Sequence, residues 1–193
     1  MAYKKLLTDI RQCTICKPAL EHGVRPVLQF HPSAKILIAG QAPGRKVHDT
    51  GVPFDDASGK RLREWLGIDE AVFYDERKVA ILPMGFCYPG TGKSGDLPPR
   101  KECAEAWRTS LMQRFDHLHL TLVIGHYAMA WHMPSAKGSL TDIVADWQRH
   151  LPELLPLPHP SPRNNIWLKK NAWFVEKTIP ALQSQVRAAL SDD

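Results

Sequence analysis

Four short runs of unbroken apolar residues stand out along the chain: AKILIAG over 34–40, KVAILPMGF over 78–86, LTLVIG over 120–125 and ELLPLPHPS over 153–161. A continuous apolar stretch bounded by turn residues marks a strand buried on both faces, as in a parallel sheet. Between the runs, apolar positions recur at helical spacing in SGKRLREWLG, in RKECAEAWRTSLMQRF and from HYAMAWHM towards residue 150. A short basic helix is expected over 2–12, and residues 17–34, rich in proline, form an irregular connection. A long terminal helical region, NNIWLKKNAWFVEKTIPALQSQVRAAL, is expected to break at Pro180. Strands alternating with helices predict an α/β sandwich around a mostly parallel sheet of about four strands. The prolines inside the fourth run point to a short strand that gives way to a rigid loop at HPSPRN.

Composition narrows the class. A length of 193 residues suits one domain spanning 1–193, and 44% hydrophobic against 23% charged residues supplies a real core. That excludes a disordered tail, a collagen-like fibre and a disulfide-stapled miniprotein. No apolar run approaches the roughly 18 residues of a membrane span. The opening MAYKKLLTDIRQ has no apolar stretch followed by a small-residue cleavage site, so a cytoplasmic location is expected. The net charge of +5 suits a polyanionic partner without requiring one.

The four cysteines are Cys13 and Cys16, a C-x-x-C pair, and the distant Cys87 and Cys103. In a reducing compartment they are seldom a disulfide framework; a bound metal, a redox dithiol and four unrelated thiols stay open. A centre using all four must be assembled by the fold, and zinc or an iron–sulfur cluster accepts four thiolates.

Ligands of open α/β sheets bind beyond the carboxyl ends of the strands. Two unusual segments fall there. GQAPGRKVHDTGVPFDDASG, residues 40–59, follows the first run, and its glycines allow backbone N–H groups to come close to a substrate. LPHPSPRNN, residues 157–165, follows the fourth, and its prolines stiffen it for contact with a partner.

GQAPG with TGVPF and SG, followed by HPSPRN, resembles the two signature motifs of the uracil-DNA glycosylase superfamily. The first loop and the order of Cys13, Cys16, Cys87 and Cys103 are most similar to its iron–sulfur branch. The resemblance covers about residues 10 to 175. It implies a three-layer αβα sandwich around a four-stranded, mostly parallel sheet, and a [4Fe–4S] cluster, rather than zinc, on the four cysteines. It also implies a monomer that flips a damaged base out of DNA and hydrolyses its N-glycosidic bond.

Residue roles follow from the same resemblance. His159 is expected against the departing base, Phe54 stacked on it, and the backbone of Gln41 and Ala42 in contact with it. Pro43, Gly44, Arg45, Ser161 and Arg163 are expected at the DNA backbone or the gap left by the flipped nucleotide. For the group that positions water, Gln41 and Asp56 rank first, ahead of His48, Asp49 and Asp55. Pro83 stands where the iron–sulfur branch has a base-reading asparagine, so this wall of the pocket lacks a side-chain amide. A scaffold that binds DNA without turnover is the rival reading.

Overall fold

The apolar runs become strands with both faces covered. In a computed structural model describing residues 2–191, β1 (Ile36–Ala39), β2 (Val79–Ile81), β5 (Leu120–Ile124) and β6 (Leu154–Leu157) form one parallel sheet in the order β2-β1-β5-β6. Ile36 pairs with Val79 on one side and Leu120 on the other, and Ile124 pairs with Leu157, so the carboxyl ends finish at one edge. Pro156 is tolerated because β6 is an edge strand. The strand residues are buried apart from the half-buried Leu154.

Strand alternation divides the core. Ile36 and Ile38 belong to one cluster with Leu62, Trp65 and Phe174; Leu37 between them joins Ile10, Phe30 and Leu111 on the other face. The first face is covered by α3 (Ala57–Leu66) and α9 (Ile179–Ser191), the second by α1 (Ala2–Arg11) and α5 (Lys101–Met112). Helices α6 (Gly125–His132) and α7 (Leu140–Ala145) pack along β5 and β6. This is the expected αβα arrangement. Three short helices complete it: α2 (Arg45–Thr50), α4 (Glu70–Phe73) and α8 (Asn165–Lys170).

Two features depart from the expectation. The terminal helical region breaks at Asn171, not at Pro180; a π-helical turn over Phe174–Thr178 leads into α9. Pro180 follows that π-helical turn directly, and the widened turn accommodates within a continuous helix a residue that has no N–H to donate. The second is an antiparallel hairpin, β3 (Thr91–Gly92) with β4 (Gly95–Asp96), between the run over 78–86 and the helical pattern of α5, where no element is predicted. Two-residue strands are too short to carry a hydrophobic period, so nothing in the apolar pattern announces them.

Candidate functional site

A cavity of about 480 Å³ opens beyond the carboxyl ends of the sheet, between the first loop, the last loop and the β3–β4 hairpin. That volume lies in the range of small-ligand sites and is roomy enough for a nucleotide. From the first loop Gln41, Ala42, Pro43, Gly44, Arg45, Phe54 and Asp56 line it. Pro83 follows β2, and His159, Ser161 and Arg163 come from the last loop. Every position the motifs singled out as a first choice is therefore at one site. His48, Asp49 and Asp55 are not on its lining.

The first loop is built around a strained aromatic. Phe54 has φ of 54°, a left-handed conformation that bulky residues rarely adopt. Its carbonyl is pressed onto Gly59: a Cβ there would lie 1.7 Å from Phe54 O. The glycine of the SG pair is thus a steric requirement for the turn that aims Phe54. Tyr74 Oη donates to Pro53 O at 3.0 Å and braces the same turn. The Phe54 ring meets Phe73 edge-on at 6.2 Å, and its Cζ would lie 3.9 Å from a Cβ on Gly40, so the ring lies over the end of β1. Asp56 Oδ1 accepts from Gly59 N–H at 2.8 Å and caps α3. Among the described residues no hydrogen bond uses the N–H of Gln41 or Ala42, and both residues line the cavity. The Gln41 side-chain amide donates to Leu97 O at 3.1 Å, tying this loop to the end of the hairpin.

The last loop holds its histidine in one tautomer. His159 Nδ1 accepts from Ser161 N–H at 3.1 Å, so the neutral ring carries its proton on Nε2. Burial pushes the imidazole pKa below its ordinary value, against the opposing pull of Asp56 and Asp96, so the ring is neutral at pH 7. Nε2–H is therefore a donor for an oxygen that gains negative charge. Asn164 Nδ2 donates to His159 O at 2.7 Å, and Arg61 Nη1 reaches Ser161 O at 3.1 Å from α3. Ser161 Oγ accepts from Arg163 N–H, which leaves its own proton free for a phosphate oxygen.

Behind Pro83 lies a residue that sequence reasoning missed. Arg108 on α5 is 1% exposed and has no carboxylate partner among the described residues. Its Nη1 donates to Leu82 O at 3.0 Å and Pro83 O at 3.2 Å, while Nη2 meets His132 Nε2 at 2.5 Å. Burial lowers the Arg108 pKa to about 10, which leaves the guanidinium charged at neutral pH. Burial and then the Arg108 charge push His132 down to about 3, so His132 is a neutral acceptor. One consequence concerns the cavity. Pro83 has neither an N–H nor a side-chain amide, and its carbonyl already accepts from Arg108, so this wall offers a base no donor.

The cysteines converge elsewhere, beside α1 and α5. Cys13, Cys16, Cys87 and Cys103 line one small hollow with Leu20, Phe86 and Trp107, and all four thiols are free. Burial pushes Cys87 to about 11 and Cys103 to about 12. Such thiols are protonated and poorly nucleophilic at neutral pH, which argues against a redox dithiol that includes them. Among the described residues no group of three or more Cys, His, Asp or Glu is spaced to hold a metal ion. Trp107 Nε1 and Arg100 Nε, on residues of the same hollow, are buried without a hydrogen-bond partner.

The site can be set beside known proteins. The sequence model of the uracil DNA glycosylase superfamily matches residues 28–183, which include both loops of the cavity. Among solved structures, the crystal structure of wild-type SMUG2 from Pedobacter heparinus is similar over 82% of this chain and 74% of that one. The identity is 12% and the TM-score 0.30, too loose a likeness to bear on the site.

Proposed function

The chain belongs to the uracil DNA glycosylase superfamily, and from that premise we propose that it hydrolyses the N-glycosidic bond of uracil or a related deaminated base extruded from DNA. The observation that carries the reading is the pairing of Phe54 and His159 across one cavity at the carboxyl edge of the sheet. Phe54 offers the flipped base a face to stack on, and the free N–H groups of Gln41 and Ala42 offer it donors. His159 Nε2–H aims a neutral donor at the base oxygen, where negative charge gathers as the bond to the sugar breaks. Arg45, Ser161 and Arg163, with the backbone N–H of Gly44 in the turn that Pro43 stiffens, present donors and positive charge to the flanking phosphates.

One observation favours the second reading, a scaffold that binds DNA without turnover: the wall at Pro83 has no donor with which to read a base edge. A single assay separates the two. Oligonucleotides carrying uracil, hypoxanthine or xanthine, single- and double-stranded, are incubated with the protein and abasic sites are cleaved with alkali. The enzyme reading expects scission on at least one lesion, with a drop of about 100-fold or more in His159→Ala. DNA binding with no scission on any lesion would establish the scaffold instead.

We further propose that Cys13, Cys16, Cys87 and Cys103 hold a [4Fe–4S] cluster. Four thiols around an apolar hollow fit its thiolate requirement, and a cube of iron and sulfide holds its ligands further apart than a single ion does. The unpartnered Trp107 N–H is a donor available to cluster sulfur. Bound there, the cluster would supply a structural cross-link between the chain just after α1 and the start of α5, and its loading must displace the thiol protons. Visible absorbance that disappears in Cys87→Ser, with iron and sulfide in equal amounts, is expected; colourless protein with stoichiometric zinc would replace the cluster by zinc.

A further inference from the structure

The carboxylates around the cavity sort by what already engages them. Asp49 is off the lining and pairs with Arg45 at 3.3 Å; Asp55 is also off it and faces Lys46 at 3.9 Å. Asp56 lines the cavity, but its Oδ1 is taken by the cap of α3. Asp96, paired through its backbone with Thr91 in the hairpin, lines the cavity too; among the described residues no hydrogen bond or ion pair engages its carboxylate, whose charge acts on His159. Its Oδ2 would lie 3.6 Å from a Cβ on Gly44, which places the carboxylate against the first loop at the start of α2.

The hairpin that carries it is held from both sides. Gln41 binds Leu97 O, the residue after Asp96, and Leu97 N–H closes onto Gly90 O at 2.8 Å. On the far side Arg163 lies so close that a Cβ on Gly95 would stand 2.7 Å from its Nη1. Gly95 itself has φ of +134°, open to glycine and strained for other residues, so the turn before Asp96 is set by backbone geometry. The carboxylate thus lines the cavity between the first and last loops.

Loss of the base leaves positive charge on the sugar, and the reaction finishes by attack of water. A carboxylate with unengaged lone pairs serves both needs: it offsets the cation and accepts the water proton. We infer that Asp96 is the carboxylate that holds and deprotonates the attacking water, a catalytic role that rests on the glycosylase reading above. In the step, the C1′–N bond breaks and its electron pair leaves with the base, steadied by His159 Nε2–H. The water oxygen bonds to C1′ and its proton passes to Asp96. That proton then moves to the base anion, which restores the carboxylate and leaves neutral base and a C1′ hydroxyl. Gln41 is then a positioning residue, anchoring the hairpin through Leu97.

The test compares the full chain with Asp96→Asn, Asp96→Ser and Asp56→Asn. Single-turnover release is measured on single- and double-stranded oligonucleotides bearing uracil, hypoxanthine or xanthine. Binding is measured by anisotropy on a duplex with a tetrahydrofuran abasic analogue, and folding by thermal melting. Both Asp96 variants are expected to melt like wild type and to release base about 100-fold or more slowly. Their affinity for the abasic duplex should hold or tighten, since a negative charge near phosphates has gone. Asp56→Asn, which keeps an N-cap side chain, is expected to lose less. Wild-type release by Asp96→Asn, or a larger loss in Asp56→Asn, overturns the inference and leaves the glycosylase reading standing. Loss of binding and rate together in the Asp96 variants shows a merely structural hairpin and overturns it too. A wild-type protein that releases none of the three bases overturns the glycosylase reading and this role with it.

Discussion

His159 and His132 are both held neutral by burial, and each uses a ring nitrogen as an acceptor, Nδ1 towards Ser161 N–H and Nε2 towards Arg108. Their titration couples to stability with a definite sign. An unfolded imidazole titrates near 6.5, and the folded pKa of His132 lies at about 3. Between these values the unfolded chain binds more protons, so stability rises with pH across the window and is lost as pH falls through it. Melting temperature should therefore level off above about pH 6.5 and decline on acidification towards pH 4. His132→Gln, which keeps an acceptor and removes the titration, should flatten that decline; an unchanged acid slope in the variant would refute the assignment. His159 was expected at the site through the likeness of HPSPRN to a family motif, and it lines the cavity. Arg108 was not, because arginine in an amphipathic helix reads as surface. Only the packing of α5 against the end of β2 buries it.

At the scale of elements, the loop from β1 to α3 works as one device. Its turn depends on Gly59, since any side chain there collides with the Phe54 carbonyl. Gly59→Ala should force the turn to shift, at a cost of about 1–3 kcal/mol, read at about 2–4 °C of melting temperature per kcal/mol. The displaced Phe54 ring should slow base release more than the stability loss alone explains, which single-turnover rates on folded protein will check. This device was visible in the sequence as glycine and proline spacing, because backbone strain leaves a residue-type signature. The β3–β4 hairpin was missed for the opposite reason. Its strands bury nothing: Thr91 and Asp96 are exposed, and the half-buried positions are glycines. Its placement comes from Gln41 and Arg163, contacts between segments far apart in the chain. The fourth run shows a third case, in which prolines that argued against a central strand were explained once β6 proved to be an edge.

Over the whole molecule, a +5 charge acquires meaning from where it lies. Arg45, Lys46 and Arg163 all line the cavity, on the two loops proposed to meet the DNA backbone. If they meet phosphates, affinity for duplex DNA should fall steeply with salt, and Arg45→Gln or Arg163→Gln should each reduce the logarithmic salt slope by about one. Affinities titrated from low to moderate salt will decide it; an unaltered slope in both variants places the DNA path elsewhere. No helix among the described residues is long and apolar enough to cross a membrane.

Short-range order was in the chain itself. Unbroken apolar runs dictate buried strands, helical spacing dictates the covering layers, and glycine and proline mark the two loops, because each of these depends on neighbours a few residues away. Tertiary structure alone decided two things: which carboxylate stands unengaged in the cavity, and that a buried Arg108 holds the carbonyl at the Pro83 wall. Hydrogen-bond partnership and desolvation are set by groups brought together from distant segments, and no local pattern encodes them.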